Sequence, residues 1–324
     1  MLAVRLHEFG APDVLRLERV DDPTPEPGQV LVAVRGAGVN PVETYLRSGL
    51  GARPSLPYTP GSDAAGEVVA VGAGVTAVAP GDRVYTHGSL SGTYAELALC
   101  AADQVSPLPD AVTFAQGAAV GVPYGIAHHA LFSRGRARRG ETVLVHGAAG
   151  GVGIAAVQLA LTAGLTVIGT AGSAEGRRLV LSQGAAHVLD HTSPHHGQQL
   201  LEFTDGRGVD LIVEMRCDLN LGVDLRLLAA HGRVLCVGNR GPQNQGEVTV
   251  NARDLMRREG DILGVMLTAI DEVQLAAVHA ELAEGFRSGA LRPVVSREYP
   301  LAEAAAAHRK LAGGHRTGKI VLVP

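Results

Sequence analysis

The sequence predicts an α/β chain of two units, one β-rich and one a doubly wound parallel sheet. Three observations carry this: the rhythm of apolar runs changes near Val122, strand-like runs beyond it are spaced by helix-length stretches, and a glycine-rich turn joins one of those strands to a helix. With 324 residues the chain has room for about two domains. After the breaker Pro23-Thr-Pro-Glu-Pro-Gly28, Val30, Val32 and Val34 alternate as a half-buried strand does. Gly66-Glu-Val-Val-Ala-Val-Gly72 is a second short apolar run, ahead of the turn at Pro80-Gly81-Asp82. Beyond Val122, Thr142-Val-Leu-Val145, Leu165-Thr-Val-Ile168, Val209-Asp-Leu-Ile-Val213 and Arg233-Val-Leu-Cys-Val237 read as strands of βαβ units. A helix follows over 271–288, then the segment 291–295, an alanine-rich helix over 302–311 and a closing strand over 319–323. That tail is too short for a domain of its own and is assigned back to the β-rich unit. The expected division is therefore 1–121 with 264–324, and 122–263.

Composition narrows the function. Hydrophobic residues make up 46% of the chain, enough for a core, and Gly 42 with Pro 17 falls short of a low-complexity sequence. Lys plus Arg 28 against Asp plus Glu 32 leaves a net charge of −4, the wrong sign for a nucleic-acid clamp. Cys100, Cys217 and Cys236 are odd in number and far apart, unlike a zinc ribbon or a disulfide framework. The longest apolar stretch, Ile154 to Gly169, is interrupted by Gln158, Thr162 and Gly164 and is too short to span a membrane. A soluble, cytoplasmic protein without a membrane partner is expected.

The chemistry is clearest at His146-Gly-Ala-Ala-Gly-Gly-Val-Gly153, which follows a strand and opens an amphipathic helix running to about Ala163, with Gly164 to end it. Ala148, Gly150 and Gly153 occupy the three positions of a G-x-G-x-x-G fingerprint, the first replaced by alanine. The second glycine lets a pyrophosphate approach the backbone, the third lets helix and sheet pack closely, and helix N-terminal amides supply the anion site. After the next strand, where an NAD site places an acidic residue on the ribose, stands Gly169-Thr-Ala-Gly-Ser-Ala174. Small residues leave room for a 2′-phosphate, with Ser173, Arg177 and Arg178 nearby as donors and positive charge, so NADPH is the expected cofactor.

Gly38-Val-Asn-Pro-Val-Glu-Thr-Tyr45, Pro57-Tyr-Thr-Pro-Gly-Ser-Asp63, Ala118-Ala-Val-Gly-Val-Pro-Tyr124, Val209-Asp-Leu-Ile-Val-Glu-Met215, Val237-Gly-Asn-Arg240 and Asn251-Ala-Arg-Asp254 are spread along the chain. In combination they resemble the zeta-crystallin-type NADPH:quinone oxidoreductases of the medium-chain dehydrogenase/reductase superfamily. The resemblance implies a GroES-like catalytic domain joined to a Rossmann domain, quinone reduction with both rings aligned in an interdomain cleft, and homodimers or homotetramers. Its cofactor contacts carry over to Tyr45, to Ala149, Gly150, Gly151 and Val152 of the turn, to Gly172, His191 and Asn220, to Val237, Gly238, Asn239 and Arg240, and to Val265, Met266 and Leu267. Asn40 and Tyr45 are the catalytic candidates, as residues that hydrogen-bond or pack near the two rings. After Tyr124, where the family often has bulky residues, this chain has Gly125, His128 and His129, which alters the quinone pocket.

Zinc enzymes of the superfamily place a cysteine near Asn40 and a histidine in a Gly-His-Glu segment, where this chain has Gly61-Ser-Asp63; a four-cysteine zinc lobe cannot be built from three dispersed cysteines. His187 and His191 are four apart but flank a short strand, so no metal is expected. A quinone is electron-poor and gains aromaticity on reduction, so it needs no Lewis acid. The alternatives are zinc-free alkenal or enone reduction on the same scaffold and, outside enzymology, an RNA-binding or structural role; the negative charge disfavours RNA as the main partner.

Overall fold

The computed structural model describes residues 1–50, 53–239, 246–314 and 317–324. The chain divides into Met1–Val122 with Glu272–Pro324, and Pro123–Asp271. The return therefore falls at Glu272 rather than at 264: Asp261–Gly264 pairs with the parallel sheet through Arg233↔Asp261 to Cys236↔Gly264 and so extends the second unit.

In the first unit a seven-stranded sheet runs in the order Val295–Pro300, Lys319–Val323, Gln29–Val39, Asp63–Val71, Arg83–His87, Val105–Pro107, with Leu97–Ala101 also paired to Gln29–Val39. The C-terminal strand reaches this sheet by antiparallel pairing of Ile320 to Leu322 with Val39 to Ala37. Its core contains Val30, Val32, Val34, Val84 and Leu322. The segment expected to be extended from Leu291 becomes a strand only at Val295; Pro293 has no amide hydrogen to give a ladder. The alanine-rich helix spans Ala304–Ala312, entered through a short 3₁₀ turn at Leu301–Glu303.

In the second unit six parallel strands run in the order His187–Leu189, Thr166–Thr170, Thr142–Val145, Val209–Glu214, Leu228–Cys236, Asp261–Gly264. In chain order that is third, second, first, fourth, fifth, sixth, the Rossmann arrangement, with the switch point between Thr142–Val145 and Val209–Glu214. Burial on both faces explains the near-continuous apolar runs Val143 to Val145 and Leu211 to Val213. The fifth strand starts at Leu228, earlier than the expected Arg233. His231-Gly232 reads as a turn, and His231 does adopt φ 61°, but pairing resumes across it with a register shift.

The helix after the glycine turn, Gly151–Thr162, is not amphipathic as the sequence suggested: every residue from Gly153 to Ala160 is buried. Its one polar buried residue, Gln158, accepts the Tyr124 hydroxyl at 2.7 Å and donates to Gln183 Oε1 at 2.7 Å. The close approach is permitted by Gly153, where a Cβ would lie 2.4 Å from Gly147 O and 2.6 Å from Ala148 Cα. Gly153→Val should therefore lower the cofactor-free unfolding free energy by roughly 3 kcal/mol. Chemical denaturation checks this; an unchanged midpoint would mean that the helix can back away from the strand freely.

Candidate active site

The first unit gathers its buried charge at the start of Asp63–Val71. Asp63 Oδ2 accepts from Lys319 Nζ at 2.9 Å and Asn40 Nδ2 at 2.9 Å, and Oδ1 accepts from the Val122 amide at 2.8 Å. The same Lys319 ammonium donates to Asn40 Oδ1, and Asn40 Nδ2 donates to Glu43 Oε1 at 3.3 Å. All four side chains are at most 4% exposed. The local sequence explains the geometry. Pro41 opens the helix Pro41–Ser48, where a missing amide hydrogen costs nothing, and Glu43 reaches back to accept the Asn40 amide at 2.6 Å as in a capping box. Burial pushes the Glu43 carboxyl up to about 7, although Lys319 pulls the other way.

Two expectations meet this network differently. Asn40, a candidate to hydrogen-bond or pack near the two rings, uses both amide hydrogens on Asp63 and Glu43 and accepts from Lys319 at its carboxamide oxygen, which holds the start of the helix in place. Tyr45 is half-buried on the same helix, turned about 200° from the buried Glu43 and Arg47, so its ring lies on the face away from the network.

In the second unit the candidate cofactor residues collect at the carboxyl ends of the parallel strands, where ligands of such sheets bind. The turn after Thr142–Val145 is tied to the neighbouring strand: the Gly147 amide donates to Thr170 Oγ1 at 3.1 Å and the Ala148 amide to Thr170 O at 2.9 Å. Gly150 has φ −81° and ψ 172°, open to any residue, and a Cβ there would meet only Gly147 O at 3.5 Å. The first helical bond runs from Ile154 N to Gly150 O at 2.8 Å, so the Gly151, Val152 and Gly153 amides precede it, the arrangement that binds an anion. Gly172 and His191 come together: a Cβ on Gly172 would lie 2.7 Å from His191 Nε2. Asn220 Nδ2 donates to both Glu214 carboxylate oxygens at 3.2 and 3.1 Å. The Val237 and Gly238 amides both donate to Glu214 O, at 2.9 and 3.1 Å, and Asn239 Nδ2 donates to Gly246 O at 2.8 Å. Val265 is buried, its amide bonded to Cys236 O at 3.1 Å, whereas Met266 is 63% exposed. Leu267 packs toward Gly125, 3.3 Å from where a Cβ would stand. Arg240 lies outside the described residues.

Arg177 Nη1 pairs with Asp190 Oδ2 at 2.7 Å, so its charge is largely offset, and Arg178 is exposed. Ser173 Oγ caps its helix by accepting the Gly176 amide at 3.0 Å, which leaves its hydroxyl hydrogen to donate. His187 and His191 point to different neighbours: the His187 ring stacks on Phe203 at 3.9 Å, while His191 faces Gly172. His128 and His129 are buried, the former edge-on to Phe132 at 4.8 Å.

Sequence reasoning passed over Lys319, and also a cluster of His146, Glu214 and Asp224 whose donor atoms lie within 4.8 Å of one another. The available signal was a charged residue at the end of an apolar strand, as Glu214 closes Val209–Val213 and Lys319 opens Ile320–Val323.

A family model described as an alcohol dehydrogenase GroES-like domain matches residues 26–110, and one described as a zinc-binding dehydrogenase matches residues 183–322. The chain is 47% identical to the quinone oxidoreductase of Mus musculus over 328 residues, covering 100% of this chain and 98% of the relative. It is 45% identical to the quinone oxidoreductase of Homo sapiens over 326 residues, with 100% and 98% covered. Among solved structures, Escherichia coli quinone oxidoreductase complexed with NADPH matches with a TM-score of 0.90 at 30% identity, over 100% of both chains.

Two substitutions probe the two sites. Gly150→Val should leave the cofactor-free melt nearly unchanged, because its backbone tolerates a side chain, yet weaken NADPH by about 1–3 kcal/mol in a fluorescence titration. Unchanged affinity in a folded variant would remove the turn from the pyrophosphate site. Lys319→Met strands Asp63 without its cation and should cost about 3–5 kcal/mol of unfolding free energy. Adding Asp63→Asn should recover part of that loss, and no recovery would mean that the two groups are not coupled.

Proposed function

The chain belongs to the quinone oxidoreductase family of the medium-chain dehydrogenases/reductases, and from that premise we propose that it reduces quinones with NADPH without a catalytic metal. The observation that carries this reading is the open Gly150 position beside the amides of Gly151, Val152 and Gly153. Bound NADPH supplies the hydride. The turn amides hold its pyrophosphate; the Ser173 hydroxyl, with His191 against Gly172, holds the adenosine end; the backbone at Val237–Asn239 and Val265–Leu267, with Asn220, lines the rest. Tyr45 is the side chain of the first unit assigned to the reacting rings.

Zinc independence rests on the donor set rather than on fold. The family description mentions zinc, yet Asn40 and Ser62 stand at the positions related to zinc ligands, and the Lys319 ammonium already bridges Asn40 and Asp63, the residue after Ser62, at 2.9 Å from Asp63. A second cation there would face that fixed positive charge. A quinone acceptor suits such a site, since it needs alignment more than polarisation.

A homo-oligomer is part of the proposal, supported by the edge strand Asp261–Gly264, where Ile262 is 38% exposed. A cytoplasmic setting is supported by the free thiols of Cys100, Cys217 and Cys236; among the described residues no helix is long and apolar enough to cross a membrane.

The test is steady-state turnover of 1,4-benzoquinone, 9,10-phenanthrenequinone and an alkenal with each nicotinamide cofactor, before and after dialysis against a strong chelator. The quinones should turn over best, with kcat/KM for NADPH on the order of tenfold above NADH and rates intact after dialysis. Faster alkenal turnover would move the enzyme to enone reduction, equal cofactor use would refute the NADPH assignment, and loss of activity restored by zinc would refute zinc independence.

A further inference from the structure

Beneath the glycine turn, at the switch point of the parallel sheet, lie three ionisable side chains that the proposed chemistry does not use. His146 Nε2 is 3.0 Å from Asp224 Oδ1 and 3.4 Å from Glu214 Oε2, and the three residues are at most 4% exposed. Two carboxylates facing one imidazole would leave a net negative charge in the interior. Burial and the neighbouring Asp224 carboxylate both favour the neutral form of Glu214. Asp224 Oδ2 is buried without a hydrogen-bond donor from the described residues. Glu214 itself accepts from the Arg216 amide and from Asn220 Nδ2.

The cluster is wired to the turn. His146 immediately precedes Gly147, and its Nδ1 lies 3.4 Å from Thr170 Oγ1, the atom that accepts the Gly147 amide at 3.1 Å. On the far side, Glu214 accepts from Asn220, itself a candidate residue of the cofactor site. We infer that Glu214 holds a proton beside His146 and Asp224, and that this cluster is a positioning device which admits the cofactor's pyrophosphate and weakens its hold when the Glu214 proton is lost.

The electrostatics agree in sign. Burial pushes the Glu214 carboxyl up to about 7, while the His146 imidazole, which burial alone would lower, is raised overall by Asp224 and Glu214. Below neutrality Glu214 is then the neutral member of the cluster. Above neutrality Glu214 ionises and a negative charge stands under the phosphates. The other titratable groups facing Glu214 are Asp224 and the Cys217 thiol from the helix Cys217–Leu227, and the Cys236 thiol from the strand beside it. The Arg216 guanidinium is turned onto Asp218, at 2.9 and 2.8 Å.

The inference rests on the reading of the turn as an NADPH site, and its test separates the two. Glu214→Gln imitates the protonated carboxyl and cannot ionise, while leaving the thiols and the cofactor's own 2′-phosphate to titrate as before. Between about pH 6 and pH 9 the wild-type Kd for NADPH should rise roughly threefold to tenfold more than that of Glu214→Gln. In the cofactor-free protein, infrared difference spectra should contain a protonated-carboxyl band at about pH 6 that is lost by about pH 9 and is missing from the variant. Glu43 contributes equally to both proteins, so the difference isolates Glu214. Absence of that band, or parallel pH profiles for the two proteins, overturns the inference while leaving the cofactor site standing. Failure of the wild type to bind NADPH at any pH overturns the cofactor reading and the coupling with it.

Discussion

The Asp63 carboxylate takes hydrogen bonds from three distant segments at once: the Asn40 amide group before the helix Pro41–Ser48, the Val122 backbone amide, and the Lys319 ammonium at the start of the last strand. None of these groups reaches water, so each is tolerable only in the company of the others. The constraint explains features that otherwise look unrelated. Gly121 must lack a side chain because a Cβ would stand 2.5 Å from Asp63 Oδ1. The C-terminal segment must return to the first sheet because it carries the only cation in the network, and Glu43 remains in the interior because it completes the bonding of Asn40. A folding consequence follows: the network closes only after the whole inserted unit has been made, since its acid comes from residue 63 and its base from residue 319.

The second unit solves a different problem, that of offering backbone amides to an anion. Side chains would obstruct such a site, so the turn is built from small residues and stiffened from behind by Thr170, which binds the turn through both its hydroxyl and its carbonyl oxygen. The helix N-terminus can point at the ligand only if the helix lies close against the turn, which Gly153 allows. The glycines therefore have separate duties: Gly150 leaves space for something outside the protein, whereas Gly153 leaves space for the protein itself. A negative charge placed under such a turn opposes its purpose, which is the reason the proton count of His146, Glu214 and Asp224 bears on the site above them.

These arrangements also account for how one fold serves both zinc dehydrogenases and quinone reductases. The architecture determines where strand ends and helix starts converge. The chemistry then depends on what stands there, and in this chain the Lys319 ammonium stands between Asn40 and Asp63.

By itself the sequence determined the fold class, the parallel order of elements, the glycine turn and the cofactor class, because each is written in local terms: a period of apolar residues, a turn residue at a set spacing, or a missing acid after a strand. Boundaries were less legible. The fifth strand was expected from Arg233 and starts at Leu228, because the local pattern does not reveal that a neighbouring strand continues the pairing. Only the tertiary structure decided which polar residues are spent internally. Asn40 is bonded to Lys319 from 279 residues away, and Arg177 is paired with Asp190 across a strand and a turn, neither of which spacing reveals. Glu214 and Asp224 are unremarkable in one dimension, and they become one buried cluster only when a strand and a helix from different parts of the chain bury them against His146. The physical reason is common to all three: hydrogen-bond capacity and charge are saturated by whatever comes within about 3 Å, and spacing along a chain does not report that distance.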